Sequence, residues 1–184
     1  ESGKLKLEPQ SLNLVTFCKD LTVDYEALCQ QKNIIFHFLP SRTIIRVEFD
    51  PEKMEILLSN LISNAFKYTP EGGKIVLSID ETDEKVTLVV EDNGIGIQKE
   101  FQEVIFDRFF QIENTEIFST GDGIGLSFVK HLVELHDGTI RVESELNKGA
   151  KFIVELPKKE RVDEPVSSEE EIIIVPKSVK ENML

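Results

Sequence analysis

Ser59-Asn60-Leu61-Ile62-Ser63-Asn64-Ala65-Phe66-Lys67-Tyr68-Thr69 is the stretch around which the rest of the chain is organised. It closes a run from Pro51 to about Tyr68 that reads as a helix. Asp50 is placed to cap that helix, and Pro51 suits its first turn, where an N–H has no intrahelical partner. Met54, Leu58, Leu61, Ile62 and Ala65 recur at 3.6-residue spacing and form one apolar stripe. Asn60, Asn64 and Lys67 stand at i, i+4 and i+7 on the opposite side. An amide oxygen is a hard ligand for magnesium, and an ammonium pairs with phosphate oxygens. This face therefore suits a metal-bound polyphosphate, or it is an ordinary solvated helix face; the stretch alone leaves both open.

C-terminal to this helix, a Glu71-Gly72-Gly73 turn leads into two strands. Ile75, Leu77 and Ile79 share a face of the first, and Val86, Leu88 and Val90 share a face of the second. A turn at Thr82-Asp83-Glu84 makes them an antiparallel hairpin. Asp92 keeps the parity of Val86, Leu88 and Val90, so it points inward at the strand's end. A buried carboxylate is costly without a donor. An Asx turn through Asn93 and Gly94 could supply one locally. The following Gly94-Ile95-Gly96-Ile97 adds a second reading, because paired glycines let backbone approach a flat ligand. Gln98 to Ile105 is a short helix candidate. Phe106-Asp107-Arg108-Phe109-Phe110 crowds three aromatic rings beside one arginine. Gln111 to Thr120 is polar and irregular, a candidate lid. Gly121-Asp122-Gly123-Ile124-Gly125-Leu126 then opens an apolar helix, where exposed N–H groups favour phosphates. Neither a Rossmann fingerprint nor a Gly-Lys-Ser/Thr phosphate loop is present. His136-Asp137-Gly138 ends that helix with a glycine cap. Thr139 to Glu145 and Ala150 to Leu156 form a closing hairpin.

N-terminal to the central helix, Lys4 to Leu7 reads as a strand or linker broken by Pro9. Asn13 to about Lys32 carries apolar residues at helical spacing, and Ile34 to Leu39 and Thr43 to Phe49 read as strands. The 184 residues suit one domain with trailing segments, and the net charge of −13 argues against a general nucleic-acid binder. The two cysteines, Cys18 and Cys29, suggest free thiols rather than a disulfide or zinc framework. No apolar run reaches transmembrane length. Glu1-Ser2-Gly3-Lys4 reads as the start of a piece cut from a longer parent, which leaves room for a membrane anchor elsewhere.

Taken in order, four motifs resemble those of the ATP-binding catalytic domain of sensor histidine kinases, within the gyrase, heat-shock chaperone, histidine kinase and mismatch-repair ATPase superfamily. Asn60-Leu-Ile-Ser-Asn64-Ala-Phe-Lys67-Tyr68 resembles the asparagine box. Asp92-Asn-Gly94-Ile-Gly96-Ile97 is similar to the first glycine box. Phe106-Asp-Arg108-Phe109-Phe110 resembles the phenylalanine box, and Gly121-Asp-Gly123-Ile124-Gly125-Leu126 the second glycine box. Gly149-Ala-Lys-Phe152 matches the closing hairpin. The resemblance covers about residues 10 to 157 and implies an α+β fold. That fold is a two-layer sandwich of the Bergerat type, a mixed, mostly antiparallel sheet with three long helices on one face.

The resemblance also implies roles, with ATP and Mg2+ as ligands. Asn64 would hold the magnesium with Asn60 beside it, and Lys67 and Tyr68 would contact phosphates or ribose. Asp92 would accept a hydrogen bond from the adenine amino group, and Gly94, Gly96 and Ile97 would make room for the purine. Arg108 would approach the terminal phosphate or the partner domain. The Gly121, Gly123 and Gly125 amides would cradle phosphates, with Phe109, Ile124 and Leu126 completing the nucleotide site. Asn60, Lys67 and Arg108 would be the catalytic set. The implied organisation is a linker over 1–12, the catalytic domain over 13–157, and a polar tail over 158–184. The implied partners are a helical dimerisation and phosphoacceptor domain of the parent and a response-regulator receiver domain. The parent would be a homodimer and this piece a monomer, in the cytoplasm or on the cytoplasmic side of an inner-membrane protein.

Two departures qualify this. Asp122 stands where the family carries a small residue or a hydroxyl, and its charge would oppose phosphates unless it caps the helix. None of His37, His131 and His136 fits the family's phosphoacceptor, and all three read as structural or surface histidines. Two alternatives stay open: a serine kinase or ATPase of the same superfamily, and a catalytically silent nucleotide-sensing or docking module.

Overall fold

Asp50 and Pro51 start the central helix as their chemistry requires. In the computed structural model, which describes residues 5–107 and 125–158, this helix is Pro51–Tyr68, and the Asp50 carboxylate accepts the Lys53 N–H at 3.1 Å. It is the second helix, α2, after α1 (Leu14–Gln31); the third, α3, is Gly125–Leu135. Met54, Leu57, Leu58, Leu61, Ile62 and Ala65 of α2 are buried, which is the expected stripe with Leu57 added. At the other end Lys32 donates to the Phe66 and Thr69 carbonyls, both at 3.1 Å, and its ammonium lies over the Phe66 ring. A cation at the negative end of the dipole stabilises the last turn.

Seven strands accompany the helices among the described residues: β1 (Gln10–Asn13), β2 (Ile35–Pro40), β3 (Arg46–Phe49), β4 (Lys74–Glu81), β5 (Lys85–Asp92), β6 (Thr139–Glu145) and β7 (Gly149–Pro157). Five of them form a sheet in the order β2-β4-β5-β7-β6. Only the β2–β4 pair is parallel. The register brings Phe38, Leu77, Val90, Phe152 and Val142 into one row, and Leu88, Val154 and Ile140 into the next. That face packs against the helices: α1 meets β2, α2 meets β5 and α3 meets β6. The fold is thus the expected α+β sandwich, a mixed, mostly antiparallel sheet with three helices. Its core runs from Leu14 and Phe49 through α2 to Val129 and Leu132.

Several local expectations change. The N-terminal strand begins after Pro9 rather than before it, and β1 pairs antiparallel with β3. The expected boundary at residues 12 and 13 therefore falls inside a strand. Gln10–Asn13 has a single apolar residue, Leu12, and pairs through its backbone with β3, so its side chains carry little signal. Gln98 to Ile105 yields only the 3-10 turn Lys99–Phe101 and further turns; Gln98 makes no side-chain cap. At the end of α3 the left-handed residue is Asp137, with φ of 59°, rather than Gly138. The Gly138 N–H reaches the Val133 carbonyl at 2.9 Å, which puts the reversal on Asp137, a residue type that tolerates it.

The cysteines and histidines differ in how far the fold buries them. Cys18 and Cys29 are buried free thiols. Burial pushes the Cys18 thiol up to about 12, so it stays protonated. His131 is exposed and His37 half-buried. His136 is buried between elements: its Nδ1 lies 2.7 Å from the Leu132 carbonyl, and its Nε2 accepts the Asp50 N–H at 3.1 Å. That arrangement fixes a neutral tautomer protonated on Nδ1. Among the described residues no helix is long and apolar enough to cross a membrane.

Candidate functional site

The site is laid out along the second half of α2. At its C-terminal end the Tyr68 carbonyl accepts the Ile95 N–H at 3.3 Å, tying the helix to the loop after β5. Eight residues earlier, the Asn60 carboxamide donates Nδ2 to the Ile56 carbonyl at 2.8 Å, which orients its oxygen outward. A Cβ placed on Gly125, the first residue of α3, would lie 2.9 Å from that oxygen. The helix segment from Asn60 to Tyr68 therefore connects the glycine loop to the start of α3. At 1.5 Å per residue this is about 12 Å, a span that suits a nucleoside triphosphate laid along the helix. Asn64 stands one turn beyond Asn60 and is half-buried. Lys67 places its Nζ 5.1 Å from the Tyr68 ring centroid.

Asp92 ends β5 in the inward parity read from the sequence and is 8% exposed. The Gly94 N–H donates to its Oδ1 at 2.8 Å, so the local Asx turn is present. Burial pushes this carboxyl above the usual carboxylate range. The backbone N–H groups of Gly94 and Ala150 pull the other way, and the Glu91 charge adds to the rise. The upward effects win, so the local donors do not fully compensate the buried charge. A group in that state gains from one more donor, such as the amino group of a purine.

Both glycines of the loop are needed, for a reason the sequence did not disclose. The room they leave is filled by the protein's own backbone. A Cβ on Gly94 would collide with the Tyr68 carbonyl, and one on Gly96 with the Glu145 carbonyl; Gly96 also has φ of 68°. The loop is thus pressed between the end of α2 and the end of β6. The Ile97 N–H goes to Ser144 Oγ at 2.8 Å, and the Ile97 carbonyl accepts from Gln102 Nε2 at 3.0 Å.

Ser144 and Gln102 were missed from the sequence. A signal existed for Ser144: it shares parity with Ile140 and Val142 on β6, the same polar-in-an-apolar-row pattern that exposed Asp92. Phe106 of the aromatic cluster packs edge-on against Phe152, with centroids 6.3 Å apart. Gly125 and Leu126 open α3 and are half-buried. Arg108, Phe109, Gly121, Gly123, Ile124, Asp122 and the expected lid at 111–120 lie outside the described residues.

A two-layer sandwich with a buried carboxylate at one sheet end and a carboxamide-bearing helix beside it defines an ATPase domain of the Bergerat type. Comparison with known proteins agrees. The family described as "Histidine kinase-, DNA gyrase B-, and HSP90-like ATPase" matches residues 49–160, and the chain belongs to it. It is 37% identical over 161 residues to Histidine kinase P4 of Formosa agariphila, covering 85% of this chain and 12% of that protein. It is 36% identical over 167 residues to Sensor histidine kinase WalK of Bacillus subtilis, covering 89% of this chain and 27% of that one. The chain therefore spans only a minor part of these relatives. Among solved structures, the nucleotide-free catalytic domain of histidine kinase ThkA superposes with a TM-score of 0.74 at 33% identity, covering 83% of this chain and 99% of that one. ThkA in complex with the response regulator TrrA matches with a TM-score of 0.70 at 30% identity, covering 82% of this chain and 42% of that one.

Proposed function

We propose that residues 10–157 are the ATP·Mg-binding catalytic domain of a sensor histidine kinase, donating the γ-phosphoryl of ATP to a histidine on a separate helical domain. The supporting observation is the layout along α2: the under-compensated Asp92 carboxylate lies by the glycine loop, and the Asn60 oxygen faces the start of α3. In this reading adenine lies at Asp92 against Gly94, Gly96 and Ile97, with Tyr68 beside it. The phosphates run along Asn60, Asn64 and Lys67 toward Gly121, Gly123, Gly125 and Leu126. Phe109 and Ile124 complete the nucleotide site, and Arg108 meets the terminal phosphate or the acceptor domain.

The donor set fits magnesium. No cluster of three or more His, Cys, Asp or Glu able to hold a metal occurs among the described residues. The ion would instead take the Asn64 and Asn60 amide oxygens, together with ligand phosphates and water, as magnesium usually does at phosphate sites. When bound it neutralises phosphate charge. The chain's own work is positional: Asp92 fixes the base, Lys67 pairs with phosphate oxygens, and the α2 face holds the triphosphate in line. The acceptor histidine belongs to a dimeric helical domain of the longer parent, and the phosphoryl group then passes to a response-regulator receiver domain. The two relatives named as histidine kinases and the ThkA–TrrA complex support this assignment.

The test is calorimetry of ATP with and without magnesium, followed by transfer of labelled phosphate to a supplied histidine-bearing helical domain. Asn64→Ala should preserve metal-free nucleotide binding and lose most of the affinity that magnesium adds. Equal magnesium dependence in variant and parent removes Asn64 from the site. Binding without transfer to any supplied acceptor favours the nucleotide-sensing module.

A further inference from the structure

Among the described residues, the hydrogen-bond partners of the loop Gly94–Ile97 differ in kind. Gly94 and Ile95 are held by residues next to the nucleotide site itself, Asp92 and the Tyr68 carbonyl. The Ile95 carbonyl accepts the Asn147 N–H at 2.7 Å. Ile97 has both of its backbone groups held by side chains. Its N–H donates to Ser144 Oγ at 2.8 Å, and Ser144 Oγ donates to the Gly149 carbonyl at 2.6 Å. Its carbonyl accepts from Gln102 Nε2 at 3.0 Å, and the second proton of that amide goes to the Ser144 carbonyl at 2.8 Å. Two side chains from separate parts of the chain thus converge on one residue.

The connections close into a ring. Gly149 and Ala150 begin β7, and the Ala150 N–H hydrogen-bonds the Asp92 carboxylate. Ser144 ties Ile97 to Gly149, the loop runs back to Gly94, and Gly94 donates to Asp92. The Ser144 hydroxyl thus links the strand that holds Asp92 from one side to the loop that holds it from the other, beside the Asn147 N–H on the Ile95 carbonyl. Ser144 and Gln102 are both half-buried, so the bonds they make are shielded from competing water on one side.

We propose that Ser144 and Gln102 are positioning residues that hold the Gly94–Ile97 loop in its base-accepting shape before any nucleotide arrives. This rests on reading that loop as the purine site. Preorganisation of this kind raises affinity because the loop has less freedom to lose on binding. Neither side chain touches the base in this account; they act through Ile97.

The experiment uses the whole chain and three variants, Ser144→Ala, Ser144→Thr and Gln102→Met. Amide hydrogen exchange is read without nucleotide and ATP affinity by calorimetry. Ser144→Ala should speed exchange at Ile97 roughly tenfold, leave β4 and β5 amides unchanged, and weaken ATP about tenfold, the scale of one or two lost hydrogen bonds. Ser144→Thr restores the hydroxyl and should recover affinity to within about threefold. Gln102→Met should act in the same direction and serves if Ser144→Ala does not fold. If Asp92→Asn weakens ATP while Ser144→Ala and Gln102→Met leave it unchanged, the proposal is overturned and the purine site stands. If the unaltered chain binds no ATP, the purine site and this proposal fall together. A Ser144→Thr variant as weak as Ser144→Ala also overturns it, because the hydroxyl is then not the operative group.

Discussion

Asp50 and Asp92 are two buried carboxylates treated in opposite ways. Asp50 is 2% exposed and caps α2. Burial pushes its carboxyl up, but the N–H groups of Glu8, Lys53 and Glu52 and the Lys53 ammonium together pull it below the usual range. The donors are near: Glu8 N at 2.8 Å, Lys53 N at 3.1 Å and Lys53 Nζ at 3.7 Å. Asp92 is 8% exposed, with donors at Gly94 and Ala150 alone among the described residues, and burial leaves it above the usual range. The first carboxylate is finished by the fold. The second is left short of a donor, at the end of the sheet where the glycine loop begins. Perturbation of this second kind is what ligand sites carry, whereas a fully satisfied charge serves structure.

The comparison breaks most severely at Gly96. Gly96→Ala puts a Cβ into the Glu145 carbonyl and asks alanine to hold φ of 68°. The expected cost is about 3 kcal/mol in denaturant unfolding, concentrated at the Asp92 end. A loss under about 1 kcal/mol would mean that the loop is not pressed against β6. Next in size is Asp50→Ala, which removes the α2 cap and leaves the Glu8 N–H without its acceptor. About 2 kcal/mol of stability should go, again by denaturant unfolding, with ATP affinity of the folded protein unchanged.

The smallest effect is in pH, and there the two sites oppose each other. Asp50 has its folded pKa lowered, so its stabilisation is present above the unfolded pKa and is lost as pH falls through the folded one. Asp92 has its folded pKa raised, so its burdened charge costs stability above that value and the cost disappears as pH falls. Asp50→Ala should therefore flatten the acid side of the stability curve, and Asp92→Asn should steepen it. Urea unfolding across the carboxylate range reads both slopes. ATP affinity should also fall as Asp92 takes up its proton.

What the sequence made legible follows from how many independent cues converged. At α2, cap, first-turn proline and apolar stripe all agreed, and the helix has the ends that were read. Asp92 was visible because one charged residue kept the parity of three apolar ones. β1 was not, since a four-residue strand with one apolar residue, Leu12, leaves no alternation to read. The role of Gly94 and Gly96 was half legible. The sequence pointed to backbone approaching a flat ligand; what the structure shows at the glycines is approach to the Tyr68 and Glu145 carbonyls, which only the tertiary structure brings near. Ser144 carried the same parity signal as Asp92, yet a serine in a half-buried row is common enough to pass unnoticed.

The difference between the two carboxylates is tested most directly by calorimetry of ATP against Asp92→Asn and Asp50→Ala under one set of conditions. Asp92→Asn should fold and lose about 1.5–3 kcal/mol of ATP binding, roughly ten- to 150-fold, because a carboxylate acceptor becomes a mixed amide. Asp50→Ala, though less stable, should bind ATP as the parent does. Unchanged ATP affinity in Asp92→Asn would contradict the assignment of this carboxylate to the base, whatever Asp50→Ala showed.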